Sequence, residues 1–291
     1  MRRIALINQK GGVGKTTTAV NLAACLVESG KRVLLIDMDP QANLTTWLLG
    51  PQSEDIDESL ADVLLGKATV SQVMIELSEP KLTLVPSGLH LSGVERILAG
   101  EVGPESVLRR AIDAAEIEAD VGDPRFDEFD YLIFDCPPSM GLLTLNALSA
   151  AREVIIPVQA KVLALNGVAN LRRIIGVIRD RLNPDLDVTG ILLCMTNGCT
   201  NLSREVEASA RSHFGPLVYT TTIRENVRVA ESPSHCQPMT LYASGNAATR
   251  DYRSLCAEVL AQERRREAVP ETETVPEPNH AQSSHIHKES A

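Results

Sequence analysis

The chain has 291 residues, 44% of them hydrophobic but only 3% aromatic, and a formal charge of −10. That length suits one large α/β domain or two small ones, around an aliphatic core. The acidic total argues against a uniformly basic nucleic-acid binder. The lack of any 18-residue apolar run, and of a signal-peptide pattern before the first strand-like segment, suggests a cytoplasmic protein.

In chain order, "RRIALIN" is a short apolar run of the kind that forms a buried parallel strand. "NQKGGVGKTTT", residues 8–18, follows as a glycine-rich loop. Thr16 to Glu28 then reads as a helix, with Ala19, Leu22, Ala23, Leu26 and Val27 at helical spacing and Gly30 as its C-terminal stop. "KRVLLIDMDP" is a second strand, stopped by Pro40, and residues 42–115 mix short helices with one strand, "LTLVPS". "YLIFDCPPS" is a buried strand ending in an acid, and "EVIIPVQ" and "VTGILLCMTN" are two more, separated by a helix over about 164–182. Residues 201–214 and 247–264 read as further helices. Strands alternating with helices predict an α/β fold, a mostly parallel sheet flanked by helices on both faces. The predicted domain is 1–264. The remainder, 265–291, is rich in Pro, Glu, Ser and Thr and is expected to be disordered, with His285 and His287 in a solvated tail. The six cysteines show no C-x-x-C or zinc spacing and read as reduced, mostly buried thiols.

Charge is unevenly spread. Residues 113–130 hold eight acids against Arg125, or −7, and read as a solvated loop, with a docking surface for a basic partner as the alternative. Residues 161–181 carry Lys161, Arg172, Arg173, Arg179 and Arg181 against Asp180, or +4.

The loop carries the chemistry. Gly11, Gly12 and Gly14 let backbone N–H groups turn toward phosphate oxygens, and the helix starting near Lys15 adds its positive end. Gly11, Gly12, Val13, Gly14, Lys15, Thr16 and Thr17 form the expected cradle, with Lys15 on the β- and γ-phosphates and the Thr16 hydroxyl on Mg²⁺. The usual G-x-x-x-x-G-K-[ST] pattern has glycine where this chain has Gln9, and an extra lysine, Lys10, stands in front. Since Lys15 serves the nucleotide of its own subunit, Lys10 is expected to reach a second nucleotide across a face-to-face dimer. Asp37, Asp39 and Asp135 sit at strand ends, where ligands gather in parallel sheets. Asp135 is the expected partner of Mg²⁺ through water, and Asp37 or Asp39 the group that orients attacking water. Asn197, ending a strand, is a candidate contact for the base.

"KGGVGKT" with its leading lysine resembles the deviant phosphate loop of the ParA/MinD ATPases. "GKRVLLIDMDPQANLT", "YLIFDCPPSMGLLTLNAL", "VIIPVQ" and "NVRVAESPSH" resemble Soj-type ParA proteins, over roughly residues 2–260. The resemblance implies a P-loop NTPase fold and ATP with Mg²⁺ as cofactors. It makes Lys10 the signature lysine, Lys15 the loop lysine, Thr16 the Mg²⁺ ligand, Asp39 the residue that positions water, Asp37 part of the same switch, and Asp135 the second acid, with Thr16, Asp37 and Asp135 as the expected metal residues. It further implies an ATP-dependent homodimer, non-specific DNA binding with nucleoid association, and a ParB-like partner that stimulates a weak ATPase to segregate plasmid or chromosomal DNA. With the loop at residue 10, the N-terminal helix-turn-helix of longer plasmid relatives is not expected. "ERRREAVPETETVPEP" lacks the apolar helix face of the membrane-bound relatives, so no membrane partner is expected.

Departures from the family pattern fall on the DNA surface. Cys199 stands where the pattern has arginine before T-N-L, and Arg224-Glu225 where it has P-R. Arg228 matches, Arg224 is a substitute, and Arg172, Arg173, Arg179 and Arg181 offer a second basic surface. Residues 200–232 hold four arginines against four glutamates, so a ParA-like ATPase that positions a protein cargo with little DNA affinity is the alternative.

Overall fold

The computed structural model describes residues 1–79, 81–121, 126, 128–161, 164–198 and 200–267, the side chains at 118–121, 164–166, 202 and 266–267 excepted. Eight strands form one sheet: β1 (Arg2–Leu6), β2 (Val33–Asp37), β3 (Ile75–Glu76), β4 (Leu82–Val85), β5 (Tyr131–Asp135), β6 (Glu153–Gln159), β7 (Asp187–Thr196) and β8 (Val218–Arg224). Their order is β3-β4-β2-β5-β1-β6-β7-β8. Every pairing is parallel except that of β3 with β4.

Period-two alternation sends side chains to two cores. Ile4, Leu6, Val33, Leu35, Tyr131 and Ile133 face the helices Lys15–Glu28 and Ala247–Glu267. Ala5, Leu34, Ile36, Leu132 and Phe134 face the opposite core, where the helices Leu91–Leu98, Val107–Val121, Leu142–Ala150 and Ala164–Arg181 pack. Both faces are covered, which is why the central strands read as unbroken apolar runs.

Most expected elements are present within a residue or two. β8 and the two-residue β3 were not anticipated. β8 ends the sheet, and in "VYTTTIR" Thr220 and Arg224 are exposed, so no apolar run marks it. The last helix runs through Glu267, so residues 265–267 are helical although the disordered tail was expected to begin there. Residues 268–291, with His285 and His287, lie outside the described residues.

Gly190 on β7 is a point of close approach. A Cβ added there would sit 2.0 Å from the ring of Tyr219 on β8, which is itself buried. The ring cannot retreat without losing its place against the last helix, where its hydroxyl meets Gln262 at 3.4 Å. Gly190→Ala is therefore expected to lower stability by about 3 kcal/mol in a urea titration, the upper end of ordinary overpacking. An unchanged midpoint would show that the ring swings out freely.

Candidate nucleotide site

β1 lies between β5 and β6, and the chain leaves it in one direction to build β2–β5 and in the other to build β6–β8. This switch in direction opens a crevice at the carboxyl ends of the strands. The register levels three of those ends, with Leu6 opposite Asp135 and Asp135 opposite Asp37.

The glycine-rich loop leaves β1 here. Asn8 anchors it: its Nδ2 donates to the Pro157 carbonyl on β6 at 2.8 Å, and its Oδ1 accepts the Lys10 N–H at 3.0 Å. Gly12 (φ 69°) and Gly14 (φ 94°) take left-handed conformations that turn the chain back on itself. Val13, 1% exposed, plugs the loop into the core. The first helical bond runs from the Thr18 N–H to the Gly14 carbonyl at 2.9 Å, so the helix begins directly under the loop.

The two lysines part company. Lys15 is 7% exposed; burial lowers its pKa, and Asp135, Cys136 and Asp39 oppose that shift. Lys10 is exposed at the rim. Thr16 and Thr17 are half-buried beside Lys15.

The three acids have different surroundings. Asp135 is buried and neither oxygen has a hydrogen-bond partner, although the Thr16 hydroxyl and Lys15 lie near enough to favour its charge. Burial first, and Asp37 second, hold its pKa well above the usual carboxylate range. Asp37 is also fully buried, and burial pushes its pKa up to about 6. Its oxygens are committed within the chain: Oδ2 accepts from Thr45 N–H at 2.9 Å and Thr45 Oγ1 at 2.7 Å, and Oδ1 from Asp39 N–H at 3.1 Å. Asp39 is half-buried, and its Oδ1 accepts the Gln41 N–H at 3.0 Å.

These residues fit a triphosphate with its metal. An orphaned buried carboxylate beside a threonine hydroxyl and a buried lysine, under a loop of left-handed glycines, suits a cation at the acid and an anion at the lysine. Among the described residues no group of three His, Cys, Asp or Glu side chains could hold a metal alone. Mg²⁺ takes few protein ligands and shares phosphate oxygens, so one hydroxyl and one supporting carboxylate are enough to place it. Thr16 would hold the ion and Asp135 would stand behind it.

Other expected site residues lie apart. Asn197 is exposed just past β7, its N–H donating to Ser203 Oγ at 3.1 Å. The Arg224 loop adjoins it, because Glu225 N–H donates to the Thr196 carbonyl at 3.1 Å. Arg224 is already bidentate on Asp251 at 2.7 and 2.8 Å, and Arg228 meets Glu231 at 3.0 Å and the Tyr242 hydroxyl at 3.3 Å. Arg172, Arg173, Arg179 and Arg181 are exposed on a different element, the helix Ala164–Arg181. Cys199 lies outside the described residues. In the acidic stretch, Asp113 and Glu116 pair with Arg3, Glu128 with Arg32 and Asp130 with Lys31. The side chain of Asp120, and Asp123 and Asp127 throughout, lie outside the described residues.

Three residues went unread in the sequence. Thr45 and Ser87 hold the Asp37–Asp39 turn, and Glu95 caps the helix Leu142–Ala150 by accepting the Leu143 N–H at 3.1 Å. Only Ser87 had a signal, since it follows the strand "LTLV" at the same edge of the sheet.

A parallel sheet with this loop and these strand-end acids defines a P-loop NTPase. Residues 1–188 match a family model described as an AAA domain. The sporulation initiation inhibitor protein Soj of Bacillus subtilis is 41% identical over 258 residues, 89% of this chain and 98% of that protein. The chromosome partitioning protein ParA of Caulobacter vibrioides is 41% identical over 268 residues, 92% and 97% of the two chains. Among solved structures, cobyrinic acid a,c-diamide synthase from Mycobacterium smegmatis with bound ATP analog and magnesium superposes with a TM-score of 0.75 at 34% identity, covering 91% of this chain and 96% of that one. The cell division ATPase MinD of Pyrococcus furiosus shares the fold, with a TM-score of 0.71 at 22% identity over 90% and 100% of the chains. The chain belongs to the ParA/MinD family of P-loop ATPases.

Among the described residues no helix is long and apolar enough to cross a membrane.

Proposed function

We propose that the protein is a ParA-type partition switch that binds ATP with Mg²⁺, closes into a dimer around two nucleotides, and opens after hydrolysis. The observation that carries this reading is the division of labour between the lysines. Lys15 is sunk beside Asp135 while Lys10, five residues earlier on the same loop, is exposed.

In each subunit the loop amides and Lys15 bind and orient the phosphates, and Thr16 and Asp135 hold the metal. Bound Mg²⁺ supplies charge neutralisation on the phosphate oxygens. Asp39 orients water. Phosphoryl transfer needs little more than placement and charge stabilisation, so a cation from the twin subunit can complete the site. Lys10 is that cation, which makes nucleotide binding and dimerisation one event. The dimer then binds DNA without sequence preference, associates with the nucleoid, and is returned to monomers when a ParB-like protein raises its slow turnover, so that plasmid or chromosomal DNA is moved.

A second reading, a ParA-like ATPase that positions a protein cargo, has its own support. Arg224 and Arg228 are engaged by Asp251 and Glu231, and phosphates would have to compete with those carboxylates. A gel shift with random duplex DNA separates the two. The partition reading expects a shift with Mg²⁺ and ATP at low salt that weakens as salt rises, with a slope near the number of phosphates contacted. No shift at low salt, with an ATP-dependent dimer on a sizing column, would leave the cargo reading.

A further inference from the structure

The Asp39 main chain is held from both ends by one closed ring of hydrogen bonds. Its N–H donates to Asp37 Oδ1 at 3.1 Å. Asp37 Oδ2 accepts from the Thr45 N–H at 2.9 Å and the Thr45 hydroxyl at 2.7 Å. The Thr45 oxygen in turn accepts the Ser87 N–H at 2.9 Å. The Ser87 hydroxyl closes the ring by donating to the Asp39 carbonyl at 2.7 Å. Each hydroxyl spends its single proton within the ring, so the direction of every bond is determined. Thr45 and Ser87 are 1% and 2% exposed, which shields these bonds from competing water. The same Asp39 carbonyl accepts the Ala42 N–H at 2.8 Å, closing a turn in which Ala42 is left-handed at φ 51°.

Ser87 comes from the loop after β4, the neighbour of β2, so a rigid strand outside the 37–45 segment braces the residue assigned to water. The Asp39 side chain has one further anchor, the Gln41 N–H on Oδ1.

We propose that Ser87 and Thr45 are positioning residues for hydrolysis, a two-hydroxyl clasp that sets where the Asp39 carboxylate stands. The proposal rests on the reading of Asp39 given above. A carboxylate that orients water must be held to a fraction of an ångström, and misplacement by about 1 Å costs up to roughly a hundredfold in rate. A turn whose carbonyl and N–H are both tethered to the sheet meets that demand. The same turn held only by Gln41 and Ala42 would drift.

The test uses the full chain with saturating Mg²⁺ and ATP. Ser87→Ala is expected to lower kcat about tenfold, the scale of one lost hydrogen bond, and Thr45→Val, which removes two, by at least as much. KM for ATP and the ATP-dependent dimer should stay within twofold. Thr45→Ser keeps the hydroxyl and is expected to restore the rate. Added to Asp39→Ala, Ser87→Ala is expected to cost nothing further, because it acts only through Asp39.

A normal kcat in both Ser87→Ala and Thr45→Val would overturn the clasp. So would a rate loss that tracks a raised KM or a lost dimer, or one that persists undiminished in the Asp39→Ala background. If Asp39→Ala itself turns over normally, the parent role of Asp39 falls and the clasp with it. An inactive Asp39→Ala beside an unimpaired Ser87→Ala overturns the clasp alone.

Discussion

Lys10→Ala is expected to elute as a monomer with Mg²⁺ and ATP, where the unaltered chain is expected to elute as a dimer, and to lose turnover on the order of a thousandfold. Nucleotide affinity should change little. The substituted side chain is exposed, whereas the buried Lys15, the loop amides and Thr16 all remain. Lys15→Ala should show the opposite pattern and lose nucleotide binding itself. Sizing chromatography with light scattering, beside equilibrium binding of a fluorescent ATP analogue, checks both halves. A Lys10→Ala dimer that forms normally with ATP would remove the reason for a second lysine in the loop. The Asn8 anchor makes the test clean, since it holds the Lys10 main chain through the N–H and does not depend on the side chain.

Asp135→Asn is expected to move stability and binding in opposite directions. A buried carboxylate without a hydrogen-bond partner is costly to the nucleotide-free fold. Replacing it with a neutral isostere should stabilise that form by about 1–3 kcal/mol in a denaturant titration. Affinity for Mg²⁺ with ATP should fall by about ten- to a hundredfold, as when a metal's supporting groups are removed. The gain in thermal midpoint on adding Mg²⁺ and ATP should shrink accordingly, because ligand stabilisation follows the binding constant. Loss of stability in the nucleotide-free protein would show that Lys15 and Thr16 already satisfy the carboxylate, and the fit to a metal would lose its chief support.

How far the site could be read without coordinates depended on the distance over which each feature is encoded. The phosphate loop was plain because its shape is local. Glycines at 12 and 14 permit left-handed backbone, and the helix begins at once. The three acids were found because apolar runs mark buried parallel strands, and ligands gather at the carboxyl ends of such strands. Their different surroundings were not legible. Asp37 is saturated by Thr45 and the Asp39 N–H while Asp135 has no hydrogen-bond partner, yet both appear as an acid closing an apolar run.

The basic surface shows the same limit. Counting arginines placed Arg224 and Arg228 together, but could not show that Asp251, from the last helix, had already claimed Arg224. Strand β8 was hidden because an edge strand with one wet face carries no apolar run.

Short-range conformational preference and alternating hydrophobicity were enough for the fold class, the loop and the strand-end acids, since those depend on residues only a few positions apart. The ring through Ser87, the Glu95 cap and the pairing of Arg224 with Asp251 join positions 27 to 48 residues apart. They exist only because β4 is laid beside β2, the helix Leu91–Leu98 beside Leu142–Ala150, and the last helix beside β8, by packing over the two cores.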